Sequence, residues 1–526
     1  MVDEDAAPTR QATLLQVLLW RRNLTREETV EFLAARADAM GERTFSLTLR
    51  QLDRYLAGEV ATAPRASVRR LLEAEFGFPT ELLLGPAARV SADLDGSRRA
   101  GAATRTLGSA DFVAFLAERS GASFEETYAF VAEAAEGLAA RPSATTAADE
   151  HARAALSRAT LAAALQRYYA SPAATFYTAD VAGSEGALSL SVVAEASSIG
   201  LSIELGGPRE RTVLSQEEDV LATKITPTRY WAAVKRLAAI EAGETVLSEN
   251  PLYRLLDLGL DDGALSATFG RTSFSAYALS ADLLAGELID ALVADPAGSA
   301  QLELPLRDDY LPSVAAARNY RSRICAGGPV CLLAIARADD YLLIVQERSP
   351  RVLNATGRLA VVPKAFHQPL AGDDHALSAT LERELEEELF GREELDQLST
   401  DARRLLAPGH ASMTSAPMRW LREHPEAYLL CCTAVGINMV SGNYEVACLI
   451  VIDDPSWWDR YGGVLRTNWE VGRIHRFSSC DADGLAGLLA DRRWSDEGLF
   501  AFIEGLRLLA EHAPARVRLP RMEVRL

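Results

Sequence analysis

The chain has 526 residues, of which 48% are hydrophobic and 24% are charged, a composition typical of folded globular domains. The formal net charge of −19 excludes nucleic-acid binding by the surface as a whole, because a polyanion would be repelled. The sequence contains no apolar run of transmembrane length, no signal peptide and no CxxC pair, so we expect a cytoplasmic protein without a disulfide framework.

Hydrophobic periodicity divides the chain into four parts, which together predict a multidomain α/β protein. We expect an all-α unit at 1–85, a linker and helical segment at 86–174, a mixed α+β region at 175–324 and an α/β domain at 325–526.

The N-terminal unit is predicted to contain five short helices with tight connections between residues 12 and 84. The third helix runs from about Leu47 to Leu56 and stops at Gly58, Pro64 opens the fourth, and Thr80 begins the fifth. The first 110 residues carry 15 Arg and 15 Asp plus Glu, so this unit is neutral and only a local basic face is available for DNA.

This helical pattern resembles the Xre/Cro-type helix-turn-helix family, which binds DNA. The resemblance implies that residues 45–56 form the recognition helix and that the domain reads two half-sites as a homodimer. It also implies a set of DNA-binding residues: Thr48, Arg50, Gln51 and Arg54 on that helix, with phosphate contacts from Arg65, Arg69 and Arg70. The alternative is a helical protein-interaction module.

The middle of the chain changes character twice. Helices are predicted at about 110–118, 124–139 and 147–170, and alternating β-branched runs from Thr175 to about 225 predict strands. Further helices are predicted at 228–240 and 277–293.

The last 200 residues are predicted to alternate strands and helices. The strands are expected at 329–336, 341–346, 358–363, 427–436 and 444–452. The helices are expected at about 375–390, 483–490 and 496–511.

The most informative segment is the acidic helix, where residues 382–388 carry five carboxylates. Glu384, Glu387 and Glu388 share one helix face, whereas Leu381, Leu385 and Leu389 share another that can pack on a sheet. Three convergent carboxylates suit Mg²⁺ or Mn²⁺, which prefer oxygen ligands and can activate water. The alternative is a solvated charged face, with Arg383 as a partial counter-ion.

Residues 383–388, Arg-Glu-Leu-Glu-Glu-Glu, resemble the REUxEE core of the Nudix box, where U is aliphatic. The resemblance covers about residues 325–511 and implies an α/β/α sandwich that handles a nucleoside diphosphate conjugate. It implies Glu384, Glu387 and Glu388 as catalytic metal ligands for Mg²⁺ or Mn²⁺, with Arg383 orienting them.

Several positions depart from the complete Nudix box. His375 stands where the box has a Glu, Pro369 stands at a Gly position, and Gly391 is shifted by one residue behind Phe390. A domain that binds such a ligand without cleaving it would have this pattern.

The loop before the acidic helix contains Lys364, His367 and Gln368, which are candidates for binding phosphate oxygens or a base edge. Hydrogen bonding within the loop is the alternative. Glu445 and Glu470 are candidates for a further carboxylate ligand.

The order of the parts as a whole resembles a group of actinobacterial transcriptional regulators. We therefore expect a DNA-binding regulator whose Nudix-like domain binds a diphosphate-containing metabolite. The alternative is a Mg²⁺-dependent Nudix-type hydrolase with a helical adaptor domain.

Overall fold

The structure is a computed structural model that describes most of the chain. The described ranges are 45–58, 64–76, 80–84, 109–140, 156–171, 174–184, 186–216, 225–242, 251–295, 302–348, 357–369, 375–390, 415–462 and 471–526, with residue 153 and single positions between 13 and 37. No helix within these ranges is long and apolar enough to cross a membrane. The six cysteines all lie within them and are free thiols.

The chain divides into two compact units. The first comprises Met1–Arg105, Leu370–Gly372 and Arg392–Glu423, and the second comprises Thr106–Pro369, Asp373–Gly391 and His424–Leu526. Strands from both sides of residue 324 belong to the second unit and pair in one sheet, so the chain does not divide at the position where the sequence pattern changes.

The described helices, in chain order, are distributed over both units. They are α1 (Leu49–Leu56), α2 (Ala66–Phe76), α3 (Thr80–Leu83), α4 (Ser109–Ser120), α5 (Phe124–Ala139), α6 (Arg158–Tyr168), α7 (Pro227–Ala242), α8 (Phe274–Ala278), α9 (Leu283–Ala294), α10 (Pro305–Tyr310), α11 (Val314–Arg318), α12 (Leu377–Leu389), α13 (Ala416–Glu423), α14 (Pro455–Tyr461), α15 (Ala482–Leu489) and α16 (Asp496–His512).

The described strands all lie in the second unit. They are β1 (Phe176–Val181), β2 (Leu188–Val193), β3 (Ile203–Glu204), β4 (Glu210–Leu214), β5 (Pro251–Asp261), β6 (Ala264–Ser273), β7 (Gly327–Ala336), β8 (Tyr341–Arg348), β9 (Leu359–Val361), β10 (Tyr428–Asn438), β11 (Asn443–Ile452), β12 (Val471–Ser478) and β13 (Met522–Arg525).

In the first unit, α1, α2 and α3 pack around a small leucine-rich core. Its fully buried side chains include Leu15, Leu33, Leu52, Leu71 and Leu83. The apolar side chains of α1 and α2 recur at helical spacing, so each helix turns one face toward this core.

The strands form two mixed sheets. Ten described strands make the large sheet, in the order β12-β8-β7-β11-β10-β2-β1-β13, with β3 beside β10 and β9 beside β8. β7 and β11 pair in parallel in its centre. The small sheet has the order β4-β6-β5, in which β4 and β6 are parallel and β5 and β6 form a hairpin.

Helices cover both faces of the large sheet, so its central strands β7 and β11 are buried along their whole length. Leu343 and Val345 of β8 pack in the cluster that includes α15 and α16. The neighbouring Gln346 points to the opposite face and reaches Glu388 of α12. The second unit is therefore a three-layer α/β/α arrangement around the large sheet, which also includes strands from the predicted middle region.

The long helix α16 lies unusually close to the sheet. A Cβ atom at Gly505 would come within 2.9 Å of the Leu332 Cβ, and one at Gly498 within 2.9 Å of the Ala360 Cα. The two glycines therefore let α16 lie close to the strands, and a larger residue at either position would push the helix away from the sheet.

The predicted helix over 277–293 is wrong as a single element. The chain forms α8, leaves helical geometry near Ser280, and resumes as α9. Asp282 lies at the break, where its buried carboxylate meets Arg236 Nη2 at 2.6 Å. This long-range ion pair accompanies the break, although the apolar periodicity continues through it.

Candidate functional site

The acidic helix α12 packs its predicted apolar face into the protein interior. Leu381, Leu385 and Leu389 are all fully buried. The N-cap residue Ala376 has no side chain able to cap the helix. Glu210 of β4 supplies the cap instead, accepting hydrogen bonds from the backbone N–H groups of Leu377 and Ser378 at 2.5 and 3.2 Å.

Two of the three predicted metal ligands contact Arg383. The Arg383 guanidinium lies 2.7 Å from Glu384 Oε1 through Nη2 and 3.2 Å from Glu387 Oε2 through Nη1. The side chains of Arg383 and Glu387 are only 4% and 3% exposed. Arg383 is thus a buried counter-ion for these carboxylates, and the alternative of a solvated charged face is not what the structure shows at Glu387.

The third predicted ligand, Glu388, is fully buried and accepts hydrogen bonds from the chain. The backbone N–H of Lys364 donates to Glu388 Oε2 at 3.0 Å, and Gln346 Nε2 lies 3.5 Å from Oε1. The carboxylate therefore joins α12 to β8 and to the loop before α12.

The Lys364 side chain extends to another carboxylate, on α16. Its ammonium is hydrogen-bonded to Glu497 Oε1, and Asn438 Nδ2 lies 3.3 Å from Glu497 Oε2. Burial opposes ionisation of Glu497, but the charge and hydrogen bond of Lys364 hold the pKa of this carboxyl below its usual value.

Glu445 of β11 lies beside this ion pair and is 5% exposed. Burial raises its pKa well above the usual value, the Glu497 charge adds to this effect, and Lys364 opposes it. Glu445 is therefore favoured in its neutral form. The other candidate, Glu470, lies outside the described residues.

The predicted ligand residue His367 is fully buried and has partners at both ring nitrogens. Nδ1 is 2.8 Å from Thr380 Oγ1 and Nε2 is 3.0 Å from the carbonyl oxygen of His375. The rings of Tyr253 and Phe269 enclose it at centroid distances of 4.6 Å. Burial lowers the pKa of His367 to about 3, so the ring is neutral. This arrangement connects the loop to α12 and leaves no ring nitrogen for a ligand.

The loop that carries Lys364 and His367 pairs with neighbouring backbone rather than standing open. Cys331 N donates to Pro363 O at 2.9 Å, and His367 N donates to Gly327 O at 2.8 Å, so the loop runs along β7. On its other side, Tyr253 N donates to His367 O at 2.9 Å. The loop thereby joins the large sheet to the small one, and Gln368 follows it in a half-buried position.

The predicted divalent-cation site does not fit the observed arrangement of donors. Within the described ranges, no group of three or more His, Cys, Asp or Glu side chains is placed to hold a metal ion. Glu384 and Glu387 contact Arg383, whereas Glu388 accepts hydrogen bonds from Lys364 and Gln346. Each of the three carboxylates thus has a partner within the chain, and the partners of Glu388 differ from the one that Glu384 and Glu387 share.

Sequence reasoning missed the buried acids of α16. Asp496 accepts the backbone N–H of Ser191 at 2.9 Å, and burial raises its pKa to about 6. Glu504 accepts a hydrogen bond from the Tyr177 hydroxyl at 2.5 Å and meets Arg507 Nη1 at 2.7 Å. The available signal was the presence of acids within an otherwise apolar helix, since buried acids need partners.

In the first unit, the predicted recognition helix begins at Leu49, not at residue 45. Thr48 has an extended backbone and caps the helix, its Oγ1 accepting the backbone N–H of Gln51 at 3.3 Å. Gln51 Oε1 in turn accepts the backbone N–H of Thr48 at 3.0 Å. Thr48 and Gln51 thus form a reciprocal capping box, which satisfies backbone groups at the start of α1.

The predicted basic residues of this unit lie on its surface. Leu52 is fully buried, whereas Arg50 and Arg54 on the same helix are exposed, as are Arg65 and Arg69 near the start of α2. Burial raises the pKa of Tyr55, whereas the positive charges of Arg54 and Arg65 both lower it. Arg54 and Arg65 are therefore both close enough to Tyr55 to affect its ionisation.

Comparison of the chain with protein-family models finds no match, and comparison with curated proteins finds none either.

Proposed function

We propose that this protein is a cytoplasmic DNA-binding transcriptional regulator whose α/β unit binds a small diphosphate-containing ligand. One observation carries the proposal. The capped helix α1 is anchored by the buried Leu52 and turns Arg50 and Arg54 toward solvent. A short helix held in this way presents side chains to a groove in helix-turn-helix proteins.

The distribution of charge supports a local contact with DNA. Arg50, Arg54, Arg65 and Arg69 supply positive charge on a unit that is neutral overall. Arginine suits this role because its planar guanidinium binds phosphate oxygens and guanine edges in a bidentate manner. The capping residues Thr48 and Gln51 would position the helix, and their side chains would contact phosphates at its N-terminal end.

The proposed ligand site lies in the second unit, near the acidic helix and the loop before it. The Arg383–Glu388 segment supports a diphosphate ligand through its resemblance to the Nudix core. Lys364 and Gln368 are the loop residues that remain candidates for ligand contact, since both are only partly buried. The ligand would regulate DNA binding only if it bound two states of the protein with different affinities.

DNA binding is tested first with the full chain and duplex DNA at several salt concentrations. Arg50→Ala with Arg54→Ala should weaken binding and reduce the slope of log affinity against log salt by about 2, roughly one unit for each lost phosphate contact. A control with the same loss of charge is Arg473→Ala with Arg521→Ala, because both are exposed arginines of the second unit. A wild-type protein that fails to bind DNA at low salt would refute the regulator proposal.

The second candidate function is a Nudix-type hydrolase that uses Mg²⁺ or Mn²⁺. The observation in its favour is the REUxEE segment on a helix packed against a mixed sheet, with the buried Glu445 nearby. A panel of nucleoside diphosphate conjugates with Mg²⁺ tests it by mass spectrometry. If the wild-type protein turns over a conjugate and the double variant Glu387→Gln with Glu388→Gln does not, the protein is an enzyme. If a conjugate raises the Tm without turnover, the result supports a ligand-binding regulator.

A further inference from the structure

Helices on opposite faces of the large sheet both send a glutamate to Lys364. Glu388 of α12 accepts its backbone N–H at 3.0 Å, and Glu497 of α16 is paired with its ammonium. The loop segment carrying Lys364 is held beside β7, where Lys364 forms a bridge with Val330. One residue therefore contacts a helix on each face of the sheet and a strand between them.

The surroundings of the Lys364 ammonium are acidic and largely buried. Glu497 has a side chain only 9% exposed, and the charges of Lys364, Glu497 and Asp496 all act on the buried Glu445. Buried carboxylates need a cation or hydrogen-bond donors to stay ionised. In this cluster, Lys364 supplies the positive charge to Glu497, as Arg383 does for Glu384 and Glu387.

A divalent metal ion bound beside Lys364 would need the Glu497 carboxylate oxygens, which the ammonium already contacts. Mg²⁺ and Mn²⁺ bind through carboxylate oxygens, and Mg²⁺ in addition demands near-octahedral geometry. The ammonium lies on Glu497, so a second cation there would meet electrostatic repulsion and would have to displace an established ion pair. The positive charge beside Glu497 is thus supplied by the chain itself.

We propose that the Lys364 ammonium is the resident cation of this acidic centre and that the centre therefore takes no divalent metal ion. The consequence is that the second unit assembles, and binds its ligand, without Mg²⁺ or Mn²⁺. The acidic centre lies at the ligand site of the proposed function. Only the statement that this unit binds a ligand rests on that function. It is independent of whether α1 binds DNA.

The test uses the full chain after chelator treatment, with Mn²⁺ as the probe. Mn²⁺ binding is followed by electron paramagnetic resonance and by the change in Tm. The wild-type protein should show neither stoichiometric Mn²⁺ binding nor a shift in Tm. Lys364→Met leaves Glu497 without its cation, so this variant should have a lower Tm and should recover part of the loss on addition of Mn²⁺.

Two further variants separate this effect from general destabilisation. Lys364→Met with Glu497→Gln removes both charges and should abolish the Mn²⁺ response. Lys235→Met is the matched control, because its ammonium pairs with Asp290 on the surface and is 70% exposed. It should leave both measurements unchanged.

The proposal is overturned if wild-type protein binds one Mn²⁺ and loses it in Glu387→Gln with Glu388→Gln, which would favour the hydrolase. It is also overturned if a folded Lys364→Met protein gains no affinity for Mn²⁺. If Lys364→Met does not fold, the wild-type measurement still decides. DNA binding is measured separately. A protein that does not bind DNA would refute the regulator proposal without changing the conclusion from the Mn²⁺ measurements.

Discussion

The Glu210 carboxylate accepts the backbone N–H of Leu377 at 2.5 Å, which makes a residue of the small sheet the cap of the acidic helix. Glu210 Oε1 accepts both this N–H and the backbone N–H of Ser378, and Oε2 accepts the backbone N–H of Gly206 at 2.8 Å. A negative charge at this end also interacts favourably with the helix dipole. The orientation of α12, and hence of Arg383 and Glu388, depends on a contact 167 residues away in sequence.

Replacing Glu210 should therefore destabilise the second unit. Glu210→Ala leaves two helix N–H groups without their acceptor, and we expect a loss of about 1–2 kcal/mol in the free energy of unfolding. Urea denaturation followed by circular dichroism measures it. Glu204→Ala is the control, since Glu204 is exposed on β3 and should change stability by less than about 0.5 kcal/mol. Equal losses in the two variants would contradict the capping role.

Removing the guanidinium from the acidic helix should be more costly. Arg383→Met leaves Glu387 buried without its counter-ion, and breaking such a pair typically costs about 3–5 kcal/mol. The double variant Arg383→Met with Glu387→Leu removes both charges and should recover much of that loss. Chemical denaturation of wild type, single and double variants forms the mutant cycle. Arg460→Met, at an exposed arginine, is the control. Additive effects in the cycle would show that the pair is not coupled.

Asp496 should make the protein less stable as the pH rises. Its folded pKa is about 6, above the ordinary value of 3.8. The folded state therefore binds more protons than the unfolded state between these values, and stability falls as the pH increases through this window. Asp496→Asn removes this titration. The stability of the variant relative to wild type should rise between pH 4 and pH 7 by on the order of 3 kcal/mol. A constant difference across this range would contradict burial of the ionised form.

His367 should act in the opposite direction. Its folded pKa of about 3 lies below the ordinary 6.5, so the unfolded state takes up the proton first as the pH falls. The stability that neutral His367 contributes is complete above about pH 6.5 and is lost progressively on acidification. His367→Gln should therefore show a shallower decline below pH 6.5 than wild type. His512→Gln is the control, because this ring is 36% exposed at the end of α16. Titration of the His367 ring near pH 6.5 by NMR would contradict the prediction.

Hydrophobic periodicity predicts the bounds of α5 but not the break between α8 and α9. The sequence pattern predicted a helix at 124–139, and α5 has those bounds because Ser123 caps its start and its buried positions recur at helical spacing. The same pattern predicted one helix over 277–293, where a buried ion pair between Asp282 and Arg236 accompanies a break. Hydrophobic spacing cannot report a partner that the fold brings from another helix.

The hairpin β5–β6 was missed, although its turn carries a local signal. Asp262 and Gly263 both have positive φ angles, 52° and 69°, as a tight two-residue hairpin turn requires. The Asp-Gly pair between two apolar runs is typical of such turns. The hairpin matters for the site because β5 pairs with the loop at His367.

The sequence by itself determined the position of the acidic helix, its buried leucine face, the main strands of the sheet and the exposed arginines after Thr48. These features follow from residue spacing within one element, which is encoded locally. Only the tertiary structure decided the partners of the carboxylates. Lys364 reaches Glu497 across 133 residues because its loop pairs with β7 and because α16 packs closely on the same sheet. Long-range packing of this kind decides which cation a buried acid meets. The position of the helix that carries the acid follows instead from the local sequence pattern.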